Sequence, residues 1–492
     1  MRLGEAREQL KLALRRRLDG LFRVCFASRI KQFEEIPGPP PSPFDTLMTF
    51  LEAELGGEPL WDVFAGYEKV YGGITRIWAG STPLVVLNDA ELIKEVLVTK
   101  HKDYYKDDPV KAFKPVLEST EFDENGPEWE RLRKSEPMSM EGFDEWLPKQ
   151  APVVKKVVDT HLARLTKSDQ DVELLPTMER MVYDAYNECV VGQRLDDDAY
   201  RYFYITSNMA TKRMQLEVIL PKWLLPPPLD PQFWYARHYH FGAFEKIVAE
   251  TKRYLYTDAK DLLHKYLQDG PDVSDKQIAM FLGNIHAGGV FPAATALVNT
   301  LYLLNRQENV KIANDLYEQL RGSDSDLRDV WQRPLLDRVL RESMRFLPPV
   351  PMFARNVLKT KPTQLGKYTL PPNTVVYVVI QGVHRSSRYW KDPDRFDPSR
   401  PEWENGTIDA KSLDSDYYFP FGRGPRICVG AALAMFCMKV MLASILSKVK
   451  VSIDSHLPYR QFNHCGVAEP KGIKGRFVPT PLAHPHLISR LN

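Results

Sequence analysis

The stretch FPFGRGPRICVGAALAMF, residues 419–436, constrains this chain more than any other. It sets three glycines and two prolines around one cysteine, then runs directly into an apolar helix. Glycine permits positive φ and lets the backbone approach another surface closely. Gly422, Gly424 and Gly430 bracket Cys428, and Pro425 stiffens the turn between them. A helix starting after Cys428 brings its first amides and positive dipole end near the sulfur, which favours thiolate over thiol. A cysteine that only fills core space needs no such scaffold.

Composition removes several classes. The chain has 492 residues, 43% of them hydrophobic and 26% charged, which is a globular makeup with room for a large core. Its formal charge of +2 demands neither nucleic acid nor an acidic partner. The five cysteines, Cys25, Cys189, Cys428, Cys437 and Cys465, form no CxxC pair and no zinc spacing. That odd, low number suits a reducing compartment and argues against a disulfide framework. No apolar run is long enough to predict a membrane-spanning helix, and charges interrupt every candidate signal-peptide core.

Near the N-terminus, Leu10, Leu14, Leu18, Leu21 and Cys25 recur at helical spacing, with Lys11, Arg15, Arg16, Arg17 and Arg23 between them. Residues 1–35 therefore read as a basic amphipathic extension. It would either touch an anionic membrane surface through residues 1–31 or pack on its own domain. IPGPPPSP, residues 36–43, reads as a stiff hinge. Residues 36–492 beyond it contain no repeat and no comparable linker, so a single domain is expected. A cytoplasmic monomer, peripherally membrane-associated or free, is the expected setting.

GITRIWAG and PLVVLND flank STP and predict a hairpin, and TVVYVVIQG at 374–382 predicts a third strand. VKKVVDTHLARLTK, the run from Ile278 to Gln307, LLDRVLRESMRFL and VGAALAMFCMKVMLASILSKV each predict helices. Ser274 and Gln277 make a capping box at the head of the longest one. The expected class is mainly α, helix-rich with a small β-sheet subdomain.

A lone thiolate on a closely approached turn is how a protein holds haem iron by one axial sulfur. FGRGPRICVG resembles the cytochrome P-450 haem-binding signature, F-x-x-G-x-R-x-C-x-G, with Phe421, Gly424, Arg426, Cys428 and Gly430 at the fixed positions. The resemblance implies the cytochrome P-450 fold and haem b, with Cys428 as axial iron ligand. It places Phe421, Gly422 and Arg426 against the cofactor, with Arg426 supplying a cation for a haem carboxylate. RESMR carries Glu342 and Arg345 at the E-x-x-R spacing, so the pair shares one helix face. Where the family has P-E-R-F, Pro398-Ser399-Arg400-Pro401 keeps the arginine. The resemblance makes Glu342, Arg345 and Arg400 a buried ionic knot of structural role. In PPVPMFAR it gives Arg355 to one haem propionate and Val350, Met352 and Phe353 to the substrate pocket. In EWERLR it gives Trp129 and Arg133 to the other propionate.

The long helix departs from the family's A/G-G-x-D/E-T-T/S pattern. Here the residues are Ala287-Gly288-Gly289-Val290-Phe291-Pro292. Ala287 and Gly288 keep their place over the cofactor. Val290 replaces the acid and Phe291 the alcohol, so neither can deliver a proton. Pro292 removes an amide and leaves the Gly288 carbonyl without its helical partner, which predicts a local kink able to hold water. Val290 and Phe291 are expected to line a tight, dry substrate pocket, with Phe291 near the iron. His286 is the candidate proton carrier, and Asn284 lies one turn before Gly288.

Haem-thiolate chemistry on a hydrophobic organic substrate follows as the expected function: a monooxygenase of secondary metabolism using dioxygen. Electrons would come from a separate ferredoxin or flavoprotein reductase, with Lys439, Arg131 and Lys134 towards that partner. The missing acid and alcohol at Val290 and Phe291 leave two further readings open. One is oxidative radical coupling of phenols or indoles. The other, from a different class, is a non-catalytic haem sensor or ligand carrier.

Overall fold

The computed structural model describes residues 16–42, 48–49, 52–53, 58–80, 82–106, 124–219, 231–254, 261–269, 272–321, 333–403, 415–454, 459–464 and 466–479. Leu10, Lys11, Leu14, Arg15 and Cys465 lie outside the described residues. The helices that position the site are α1 Leu60–Tyr71, α2 Gly126–Lys134, α3 Ala151–Leu165, α4 Leu174–Val191, α5 Asp197–Ile219, α6 Pro231–Arg253, α7 Asp275–Leu304, α8 Pro334–Phe346, α9 Ile380–His384 and α10 Ala431–Leu446.

α7 is the axis of the helical region. Ser274 caps it by accepting from the Gln277 amide at 3.3 Å, while Gln277 Oε1 accepts from the Ser274 amide at 3.3 Å. It is apolar on every side, as a helix enclosed by others must be, and α4, α6, α8 and α10 pack around it. It is the one described helix long and apolar enough to cross a membrane, yet 78% of its apolar window is buried inside the protein. The expected opening at Pro292 does not break it: the helix runs unbroken from Asp275 to Leu304. The enclosing helices hold a turn that proline alone would loosen.

The β region is a five-stranded sheet. Its strands are β1 Ile74–Ala79, β2 Thr82–Leu87, β3 Tyr104–Tyr105, β4 Met352–Val357 and β5 Val375–Val379, in the order β1-β2-β5-β4-β3. β1 and β2 form the expected hairpin, with Ile74 opposite Leu87 and Ala79 opposite Thr82. β5 lies parallel to β2 and antiparallel to β4. The run at 374–382 is not strand throughout. The Gln381 amide turns to the Pro351 carbonyl at 3.0 Å, and α9 begins at Ile380. Likewise α10 stops at Leu446, and Val449 already opens another strand, Val449–Ile453. A second hairpin, β6 Gln461–His464 with β7 Val467–Pro470, reaches back onto α7.

The N-terminal extension is docked rather than free where it is described. Residues 16–25 are helical. Phe22 lies edge-on to Trp78, centroids 5.4 Å apart, and Phe33 meets the same ring at 6.2 Å. The Pro37 carbonyl accepts from the Arg76 amide at 2.8 Å, so the proline segment is pinned to β1. Leu18, Leu21 and Cys25 face solvent. The buried anchor, Phe22, is off the expected apolar stripe. Among the described residues, Cys25, Cys189, Cys428 and Cys437 form no disulfide.

Candidate active site

The cysteine turn closes on itself: the Cys428 amide donates to the Phe421 carbonyl at 2.9 Å. Gly422 and Gly424 take φ of 75° and 73°, a region that side chains with a Cβ rarely adopt. A Cβ at Gly424 would stand 2.2 Å from the Leu97 carbonyl oxygen, so this glycine is required twice over. Gly430 is different. It is the N-cap of α10 with φ of −84°, and a Cβ there would meet Cys428 Sγ at 3.9 Å, an ordinary contact. Cys428 itself is exposed at the mouth of the turn, just ahead of the positive end of α10.

Cationic groups converge on the same turn. The Arg426 guanidinium lies 4.3 Å from the Trp129 ring centroid and donates to Asn125 Oδ1 at 3.1 Å and to the Glu124 carbonyl at 3.3 Å. From one helical turn beyond Trp129, Arg133 donates to the Ile427 carbonyl at 2.8 Å. α2 is thereby clamped to the cysteine turn. Arg355 is buried on β4, 4.7 Å from the Phe353 ring, and a Cβ on Gly422 would meet that same ring at 4.0 Å. Val350, Met352 and Phe353 are half-buried beside it. An accessible thiol, a turn only glycine can make and three guanidinium groups around it fit a flat, iron-bearing dianion such as haem. Cys428 would supply the axial sulfur, and Arg133, Arg355 and Arg426 the cations for its carboxylates.

α7 offers its small residues to this region. Gly288 is exposed, and nothing lies within 4 Å of where its Cβ would be. Ala287 is half-buried next to it. Gly289 abuts Tyr186 of α4, whose ring would be 2.6 Å from a Cβ there. Tyr186 is fully enclosed: burial foremost, then the neighbouring thiols of Cys437, Cys428 and Cys189, push its hydroxyl well up. Through Gly289 it packs against the glycine pair of α7.

Three expectations on α7 are corrected, those for His286 and Val290 by helical phase and that for Phe291 by the Phe203 and His464 rings that cover it. Val290 and Phe291 are 0% and 1% exposed, so neither borders open space. The Phe291 ring stacks on Phe203 of α5 at 5.2 Å and meets His464 of β6 at 4.5 Å. His286 is also fully buried. Its Nδ1 bonds the Leu282 carbonyl at 2.8 Å, and its ring packs between Tyr183 and Phe244. Burial lowers its pKa to about 4, so it stays neutral. At 100° per residue, a side chain two positions from Gly288 points to the opposite side of the helix. His286 therefore faces α4 and α6, which does not support a role as proton carrier.

Behind the site, Glu342 accepts from Arg345 Nε at 2.8 Å, from a second Arg345 nitrogen at 2.9 Å and from Arg400 Nε at 3.1 Å. The Asp397 amide adds a fourth bond at 2.8 Å. Arg345 also donates to the carbonyls of His384, Pro393 and Arg395, and Arg400 to those of Lys391, Asp392 and Arg395. The two cations and one anion are buried and densely bonded, the condition under which buried ions are tolerable. Lys439 does not face outward as expected. It is 1% exposed and pairs with Asp337 of α8, which also receives Arg341 at 2.6 Å. Arg131 and Lys134 remain on the surface.

The sequence reading missed Tyr186, Asn125 and a cluster of Glu179, His464 and Glu469 beside Phe291. Glu179 left one signal: it shares an apolar helix face with Tyr183 and Tyr186, four and seven residues on, where a carboxylate is out of place.

Thiolate turn, arginine collar and glycine-lined long helix together define a haem-thiolate enzyme, and the chain belongs to the cytochrome P450 family. The family model "Cytochrome P450" matches residues 37–474. Cytochrome P450 3A18 of Rattus norvegicus is 26% identical, over 85% of this chain and 86% of that one. The 7-ethoxycoumarin O-deethylase of Helianthus tuberosus is also 26% identical, over 80% and 83%. Cheilanthifoline synthase of Eschscholzia californica is 23% identical, over 87% and 90%. Among solved structures, the cytochrome P450DA heme domain superposes with a TM-score of 0.73 at 18% identity, covering 90% of this chain and 96% of that one. A zebra fish cytochrome P450 with progesterone gives 0.70 at 21%, covering 86% and 100%. The chain is thus a haem-dependent monooxygenase, an oxidoreductase acting on paired donors with molecular oxygen.

Proposed function

We propose that this monooxygenase oxidises a compact, hydrophobic small molecule of secondary metabolism. The observation that carries the proposal is the placement of Cys428, exposed on its glycine turn with Arg133 bonded to the Ile427 carbonyl and Arg426 stacked on Trp129 beside it. Bound haem supplies dioxygen binding and activation, and the protein supplies the rest. Cys428 would hold the iron, Arg133, Arg355 and Arg426 would orient the carboxylates, and the open face at Gly288 would leave room for the group. The half-buried apolar residues Val350, Met352 and Phe353 would seat the substrate. The names of two plant relatives, an O-deethylase acting on 7-ethoxycoumarin and cheilanthifoline synthase, favour an aromatic skeleton.

Electrons would come from a separate ferredoxin or flavoprotein reductase, met by the exposed Arg131 and Lys134. Residues 36 onward form one catalytic domain, with the extension laid on its sheet. In this reading the protein is a cytoplasmic monomer that touches membrane through the exposed Leu18, Leu21 and Val24.

Two measurements test the reading. The reduced holoprotein with carbon monoxide should give the long-wavelength Soret band of thiolate ligation, absent in Cys428→Ala. A spectral binding screen of phenols, indoles, terpenoids and fatty acids should then show spin shifts for aromatic candidates. A screen answered only by fatty acids would overturn the substrate class. Coupled dimers in place of hydroxylated products would move the assignment to radical coupling, and binding without turnover would move it to a sensor.

A further inference from the structure

A cavity of about 360 Å³ opens where α1, α9, the segment just past α8 and β6 meet. That volume is in the range of small-molecule sites. The cavity shares no lining residue with the cysteine turn, the arginine collar or the glycine face of α7. Pro59, Leu347 and Phe462 give it an apolar side, and Asp62, Arg385 and Arg460 give it charges of both signs.

Those charges do not satisfy each other. Asp62, in the first turn of α1, accepts from Gln381 Nε2 at one oxygen. Its other oxygen accepts no bond among the described residues. Burial foremost, then the neighbouring Glu58, raise its pKa, while Arg385 and the Gln381 bond work the other way. Arg385 is engaged elsewhere: its Nε donates to Asp394 at 3.0 Å, and it lies 4.4 Å from the Phe346 ring centroid. Arg460 is exposed, and its guanidinium makes no hydrogen bond or ion pair among the described residues. At the rim, the Lys471 ammonium stands 4.5 Å from the Phe462 ring centroid.

The walls are held from behind. Tyr459, which also lines the cavity, donates to Asn299 Oδ1 of α7 at 2.6 Å. Asn299 Nδ2 donates in turn to the Leu347 carbonyl at 3.0 Å, so one buried amide fixes two walls. The Gln381 amide on the Pro351 carbonyl fixes a third. A frame set in advance costs a ligand little ordering.

We propose that this cavity is a second small-molecule site, which seats a zwitterion of the α-amino-acid type. Its carboxylate pairs with Arg460, its ammonium with the open oxygen of Asp62, and its apolar side chain packs on Leu347 and Phe462. A ligand carrying one charge leaves the opposite wall group unpaired and is rejected on that account. The site stands apart from the haem chemistry, and no step of the oxidation passes through it.

The test is isothermal titration calorimetry of the haem-loaded full chain with L-phenylalanine as the probe. Phenylpropanoate lacks the ammonium of that probe, and phenylethylamine lacks its carboxylate. L-Phenylalanine should bind, and each analogue should bind roughly tenfold more weakly or worse. R460Q and D62N should each weaken L-phenylalanine by a similar factor. Arg460 is exposed, so R460Q should melt as the wild type does, and D62N keeps the acceptor for Gln381. If D62N does not fold, R460Q and the two analogues carry the same comparison. The Soret band should stay still throughout the titration. A Soret shift that follows the binding curve would put the amine on the iron and overturn the proposal. So would an absence of binding, equal binding of either analogue, or wild-type affinity in R460Q.

Discussion

Gly424 and Phe291 show how single residues set this site. Gly424 combines φ of 73° with a carbonyl 2.2 Å from its missing Cβ, so Gly424→Ala must move either the turn or Leu97. The expected cost is about 1–3 kcal/mol of stability, with haem content reduced in parallel, read by denaturant titration and by the Soret absorbance per protein. Phe291→Ala empties a stacked position between Phe203 and His464 and should cost about 3–5 kcal/mol, measured in the same titration. The glycine-bent turn around Cys428 was legible in the sequence because it closes locally, the Cys428 amide on the Phe421 carbonyl. The contacts of Gly424 with Leu97 and of Arg426 with Trp129 were not legible, because they come from segments about 300 residues away. His286 and Phe291 were not, because spacing gives a helical residue's phase relative to its neighbours but not which side meets the cofactor. Gly288, exposed and unobstructed, fixes that side only once the helix is packed.

At the scale of elements, α8 is tied to the segment around Arg400 by one carboxylate. Glu342 serves Arg345, Arg400 and the Asp397 amide together. Glu342→Gln leaves two buried guanidinium groups without an anion, and the expected loss is about 3–5 kcal/mol in urea unfolding. Because the network touches no open space, carbon monoxide spectra of the surviving folded fraction should be unchanged. The E-x-x-R spacing made the first pair readable. The carbonyls of His384, Pro393 and Arg395 that complete Arg345 lie 39 to 50 residues away and leave no mark in the sequence. Element types were readable from periodicity, as with β1, β2 and α7. Their ends were set by tertiary bonds, such as Gln381 to Pro351, which cuts β5 short. Lys439 looked like surface charge until α8 supplied Asp337 for it.

For the whole molecule, buried titrating groups set the pH range in which the fold is most stable. His240 and His384 are lowered to about 3 and His286 to about 4, all by burial. The folded chain keeps these rings neutral, while the unfolded chain protonates them below about 6.5. Their contribution is therefore whole above that value and is lost as pH falls towards 4. Glu179, raised from 4.5 to about 8, acts in the opposite sense: its contribution is whole below about 4.5 and is lost progressively as pH rises from there to about 8. The melting temperature should therefore peak in slightly acidic to neutral buffer and decline on both sides. Glu179→Gln should remove the decline between about 6.5 and 8 and steepen the rise below it, as differential scanning calorimetry across the pH range would show. The wedge of Phe22 and Phe33 against Trp78 also decides how far the chain can be trimmed for production. A version starting just ahead of Asp19 keeps the plug on the sheet and should stay in solution. One starting after Phe33 uncovers the indole and should precipitate.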